Sequence, residues 1–212
     1  MLTRAAHRLT DLRAATSGVA MIEFAYSLPV VLTLALGGLE ATNLALAHLR
    51  VSQVAMTTAD NAARVPTLMD ESDIAEVFAG ADVTGRSLDF TRHGRVVLSS
   101  LQDNGQSGTR QGQTVGWQRC YGQLSVAPAY AREGAGANDA TLRSGMGPAG
   151  RQITAQPGTA VMFVEVTYDY QPLLAGSVFG PIQIRYETAL NVRERTNLGI
   201  SNTQSRAVAS CP

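Results

Sequence analysis

Gly18-Val-Ala-Met-Ile-Glu-Phe-Ala-Tyr-Ser-Leu-Pro-Val-Val-Leu-Thr-Leu-Ala-Leu-Gly-Gly-Leu39 is the stretch whose reading decides the fold. From Val19 to Leu39 it is apolar apart from Glu23, Ser27 and Thr33. At a helical rise of about 1.5 Å per residue these 21 residues reach roughly 31 Å, the thickness of a bilayer hydrocarbon core. Glu23 is the anomaly. Phe24 to Leu39 alone covers about 24 Å, short for a span. The carboxylate therefore falls just inside the membrane edge, where an ionisable group costs on the order of 2–3 kcal/mol unless it finds a partner.

Upstream of the span lie Arg4, Arg8 and Arg13 against one acid, Asp11, and no basic cluster follows it closely. That asymmetry places the N-terminus in the cytoplasm, with everything after the span exported. An ordinary cleaved secretory signal, cut near Ala45-Leu46-Ala47, is the rival reading. The long leader, the long apolar run and the position of Glu23 argue against it. The whole chain has zero formal net charge, all its basic side chains being arginine, and loss of residues 1–18 leaves a weakly acidic remainder. Such a balance argues against nucleic-acid binding. Some 145 residues follow the helix, by the count of the sequence, enough for one domain with a core of its own. Cys120 and Cys211 both fall on the exported side, where an even count favours a disulfide over two separate buried thiols. Closing a loop of about 90 residues stabilises by roughly 4 kcal/mol in the chain-entropy model.

Downstream, the helix is expected to leave the membrane and continue. Pro29 is a candidate kink. Thr33, Gly37, Ala41 and Ala45 recur every four residues, a row over which another helix can approach closely; lipid contact is the plainer alternative. Beyond Glu40 the pattern turns amphipathic. Ala47, Val51, Ala55, Ala59 and Ala63 form an apolar stripe, Arg50, Gln53, Thr57, Asp60 and Arg64 a polar one, and Pro66 ends the helix. Residues 70–79 read as a short helix with acids in its first turn and Gly80 as its stop.

From Gly85 onward the pattern reads as β. Arg95–Leu101 is a core strand bounded by the turn-rich 103–108, and Thr114–Gly122, with Trp117 and Cys120, is another. Residues 134–150, rich in Gly and Ala, read as an irregular loop. Ala160–Tyr170 and Ile182–Val192 alternate with period two, as half-buried strands do. Antiparallel pairing would let Glu165 and Asp169 face Arg185 or Arg193. The connection between these strands carries Leu173, Leu174, Val178 and Phe179, a candidate patch for a partner or a membrane surface; folding back onto the sheet is the alternative.

Basic leader, glycine, and an apolar helix with glutamate five residues on: Gly18-x4-Glu23-Phe24-Ala25, followed by Leu28-Pro29, resembles a type IV prepilin cleavage region, and more narrowly the TadE-like minor pseudopilins of Flp/Tad (type IVb) pilus machines. Trp117-Gln-Arg-Cys120, Val164–Leu173 and the strand ending Asn191-Val-Arg-Glu194 extend the resemblance more weakly. The resemblance implies cleavage by a prepilin peptidase between Gly18 and Val19. It also implies a pairing of Glu23 with a neighbouring subunit's new N-terminal amine that sets subunit register, and partners among other pilin-like subunits and the pilus assembly machinery.

Motifs for chemistry are missing. Gly145-Met-Gly-Pro-Ala-Gly150 matches G-x-G-x-x-G but follows no strand and opens no helix. A Walker lysine is impossible without lysine, and H-E-x-x-H, C-x-x-C and G-x-S-x-G do not occur. His7, His48 and His93 stand apart from one another. The expectation is therefore a non-enzymatic protein with no catalytic, cofactor or metal site. Its expected fold is α+β: a leader (1–18), a transmembrane helix and stalk (19–65), and a periplasmic domain (66–212) with an antiparallel sheet and a short helix, held to the bacterial inner membrane by one span. A membrane-tethered binding module that never enters a polymer, and a tethered periplasmic enzyme, are the other two readings.

Overall fold

The computed structural model describes residues 17–174 and 180–212. Leader residues 1–16, and with them His7, lie outside the described residues, as do Val178 and Phe179 of the candidate patch. The elements in chain order are α1 (Ser17–Arg64), β1 (Met69–Asp70), α2 (Glu71–Gly85), α3 (Phe90–His93), β2 (Gly94–Asp103), β3 (Gln113–Tyr121), β4 (Ala160–Asp169), β5 (Gln183–Asn191) and β6 (Ile200–Ser201). The described residues divide into two compact units, 17–44 with 172–174, and 45–171 with 180–212.

In the first unit, α1 is apolar on all sides and its side chains from Gly18 to Leu39 are exposed. A helix with no polar face and no protein cover has the surface of a membrane span. It is long and apolar enough to cross one. Helical structure continues through Pro29. The few hydroxyls in this stretch satisfy themselves locally: Ser27 donates to the Phe24 carbonyl (3.1 Å), Thr33 to that of Pro29 (2.7 Å) and Thr42 to that of Gly38 (2.8 Å). In hydrocarbon, where water cannot serve them, such back-bonds remove the cost of a bare hydroxyl.

The second unit is built on a four-stranded antiparallel sheet, in the order β3-β2-β4-β5. One face carries Val96, Leu98, Met162, Val164, Val166, Tyr168 and Trp117, all buried. The last five turns of α1 bury the expected stripe, Ala47, Val51, Ala55, Ala59 and Ala63. Val54, Thr58 and Ala62 are buried beside it, so the buried face is broader than one row. Phe90 of α3 stacks on Tyr168 (centroids 6.1 Å apart, planes at 13°), whose hydroxyl donates to the Leu88 carbonyl.

Three expectations are corrected. First, β4 is buried on both faces rather than one, with Phe163, Glu165 and Thr167 all under cover. The Gly/Ala-rich segment is irregular, as expected, and folds over the Phe163 end of that side. Leu142, Met146 and Ala155 form a second core with Leu101, Val115, Val161 and Phe163. Small residues let this backbone lie close to the sheet without regular structure. Second, the helix does not stop at Gly80 but runs to Gly85. Gly80 is a close-approach site instead, since a Cβ there would come within 3.1 Å of the Asn61 amide nitrogen on α1. Third, Arg86–His93 is a 3-10 turn and a short helix, so β structure begins at Gly94, not near Gly85.

The expected charge pairs also change. Glu165 lies directly opposite Glu187, Thr167 opposite Arg185, and Asp169 opposite Gln183, whose amide it accepts at 2.8 Å. Arg193 reaches Asp60 of α1 instead, at 3.0 Å.

Candidate assembly site on the N-terminal helix

Gly18, Val19 and Glu23 occupy the first two turns of α1 and are exposed. Glu23 has no hydrogen-bond or ion-pair partner among the described residues. An acid in an otherwise apolar segment, with nothing beside it, is costly to keep in lipid unless a cation arrives from outside the chain. Gly37, Ala41 and Ala45 are exposed on the same helix, and a Cβ at Gly37 would meet nothing within 4 Å. The row is open, as helix packing by small residues requires.

At the C-terminal end of the apolar run stands a residue that sequence reasoning passed over. Glu40 is 3 % exposed, and one of its carboxylate oxygens accepts the backbone N–H groups of Leu173 (3.0 Å) and Leu174 (3.3 Å). Two backbone amides thus converge on one carboxyl oxygen. The signal in the sequence was the first acid after a span together with a distant, uncharged, Leu-rich connection; nothing local joins them.

Within the second unit the polar residues brought together serve architecture. Asp70 caps α2 through a reciprocal box with Asp73, and also accepts from Thr203 N–H and the Ser201 hydroxyl of the returning chain. The Thr203 and Ser72 backbone N–H groups, then the Ser201 hydroxyl, hold this carboxyl well below the usual carboxylate range. Arg119, on β3, is buried and sends Nε and Nη2 to one oxygen of buried Glu71 (2.7 and 2.6 Å), and Nη1 to Glu133 (3.0 Å). That pair ties the first turn of α2 to the sheet. Cys120 and Cys211 are joined in a disulfide.

Glu165 is the most perturbed acid in the sheet. Burial pushes its carboxyl up to about 7, against a bond from the Ala129 N–H (2.8 Å) that favours the charged form; Glu187 opposite pushes it further up. Its second oxygen is buried without a hydrogen bond. Glu187 in turn accepts from the Tyr130 hydroxyl, whose own proton is held to about 12, first by burial and then by that bond.

His48 contacts Tyr186 edge-on, and His93 lies 3.9 Å from Asp89. Among the described residues no cluster of three His, Cys, Asp or Glu side chains is arranged to hold a metal. The glycine-rich motif at 145–150 forms a turn: Gly145 has φ +93°, and a Cβ there would strike the Ile153 carbonyl at 2.2 Å. That geometry presents Met146 to the second core and offers no helix N-terminus to a phosphate.

No curated protein and no solved structure matches the chain. A family model does, over residues 18–64, and its description is TadE-like protein. The match coincides with α1 from the glycine to the helix end and supports a Tad pilus-related, pilin-like role, with membrane association and pilus-assembly partners. Residues 18–64 of this chain are its TadE-like segment.

Proposed function

We propose that the protein is a minor pseudopilin of a Flp/Tad (type IVb) pilus or its secretion apparatus. It is anchored in the inner membrane by α1, with its N-terminus in the cytoplasm and its sheet domain in the periplasm. A prepilin peptidase cuts after Gly18, and Val19 becomes the new N-terminal ammonium. Glu23 then pairs with the ammonium of an adjoining subunit and sets the register of the two helices, while Gly37, Ala41 and Ala45 let the helices close on each other. Opposite charges offset each other's desolvation in lipid, so each subunit supplies what its neighbour needs.

The observation carrying this reading is the coincidence of the family match, which begins at Gly18, with an exposed helix bearing one unpartnered acid five residues later. N-terminal sequencing of the protein isolated from its own membranes tests it. The expected first residue is Val19. A mature chain that still begins at Met1 would remove the new ammonium and, with it, the register mechanism.

A further inference from the structure

Glu40 ties the end of the apolar run to a segment far away in sequence. Leu39 is the last residue of the apolar run and is 59 % exposed. Glu40, next to it, is the first acid after the run and so stands at the outer limit of the hydrocarbon, where the apolar sequence ends. Its carboxylate holds the N–H groups of Leu173 and Leu174. Whatever depth Glu40 takes, that short piece of backbone takes within a hydrogen bond's length.

Leu173 is 63 % exposed and Leu174 is 36 % exposed. The sequence from Gln171 to Ile184 contains no charged residue, so nothing in this connection resists an apolar surrounding. The two backbone donors that would be costly to leave bare near lipid are the two that the carboxylate accepts. A protein partner would be free to meet leucines at any height on the domain. Leucines tethered to the end of a spanning helix meet lipid first.

We infer that Leu173 and Leu174 lie in the interfacial layer of the membrane on the domain's side, inserted among the lipid glycerol and upper acyl groups. Glu40 acts as the positioning residue that holds them there. The occupant of this surface is the bilayer itself, continuous with the lipid around Val19–Leu39. The inference rests on α1 spanning a membrane.

The full chain is reconstituted in phosphatidylcholine vesicles, with or without lipids brominated high on the acyl chain, and carries either Leu173→Trp or Val31→Trp. The native Trp117, buried in the sheet domain, gives the background in the parent chain. Leu173→Trp is expected to lose emission to the brominated lipid, to shift to the blue and to resist aqueous iodide. Adding Glu40→Ala should reverse all three while Val31→Trp stays quenched in a matching Glu40→Ala chain. If Val31→Trp is quenched and Leu173→Trp is quenched only by iodide, or by neither agent, the interfacial contact is refuted. If Glu40→Ala leaves the quenching at Leu173→Trp unchanged, the positioning role is refuted. If Val31→Trp itself escapes brominated lipid, the spanning reading fails instead.

Discussion

Replacing Glu165 with glutamine should change how stability depends on pH. In the folded chain its carboxyl titrates at about 7, against 4.5 for an ordinary glutamate. Burial is the largest cause, opposed by the Ala129 N–H and reinforced by Glu187 across the strand pair. Because the folded value is the higher one, the folded state binds more protons than the unfolded state between the two values. Stability is therefore greatest below the unfolded value, falls as pH rises through the window from 4.5 to about 7, and levels off above it. The full excursion is worth about 3 kcal/mol at 1.36 kcal/mol per unit. Glu165→Gln keeps an acceptor for Ala129 and never ionises, so its stability should be flat across that window where the parent's declines. At about pH 8 the variant should be the more stable of the two by up to about 3 kcal/mol, and near the acid end the two should converge. The assay is urea unfolding of the full chain in detergent, read by the fluorescence of Trp117, the only tryptophan. Parallel pH profiles in the two proteins would refute the reasoning, because they would mean that Glu165 carries its charge at no cost.

Glu71→Ala should destabilise by about 3–5 kcal/mol in the same assay, since it leaves the buried Arg119 guanidinium with only Glu133 and the Gln118 carbonyl beside it and nothing for Nε and Nη2. Cys120→Ser should cost roughly 4 kcal/mol, and reduction of the parent should cost as much while leaving the variant unmoved. Gly18→Glu should block processing, seen as a precursor-sized band on a gel. Glu23→Ala should insert into membranes normally yet fail to co-assemble; unchanged piliation in that variant would remove Glu23 from the register role.

The four long strands were legible because alternation survives wherever cross-strand neighbours share a face, and α1 was legible from its unbroken apolar run and the stop at Pro66. Period two says which side chains share a face; it does not say whether water lies on the other side. Glu165 and Thr167 read as solvent positions because they are polar, yet both are buried, and at Glu165 it is the irregular chain after β3 that comes close, with Ala129 donating to its carboxylate. Gly80 read as a stop because helices often end on glycine, but the residue that decides is Asn61, from another helix. Likewise Glu40 and Leu173 are 133 residues apart. A contact of that separation leaves no trace in spacing. Gly18 and Glu23 are different: the reading of them rests on a fixed local interval, and that interval lies inside the stretch the family model matches.

The disulfide has a consequence beyond holding two residues together. Beside the bond, the N–H of Cys120 on the outer edge of β3 donates to the Ala209 carbonyl at 2.7 Å. The clasp thus keeps the C-terminal chain beside one amide of that sheet edge, while the amides of Gln113, Val115 and Gln118 are served by Leu142, Ala135 and Glu133. Reduction would free that single amide and the chain end beside it and leave the rest of the edge closed. On the proposed export of this domain, the bond would form only once residue 211 had crossed, so the last amide of the edge would gain its cover outside the cytoplasm.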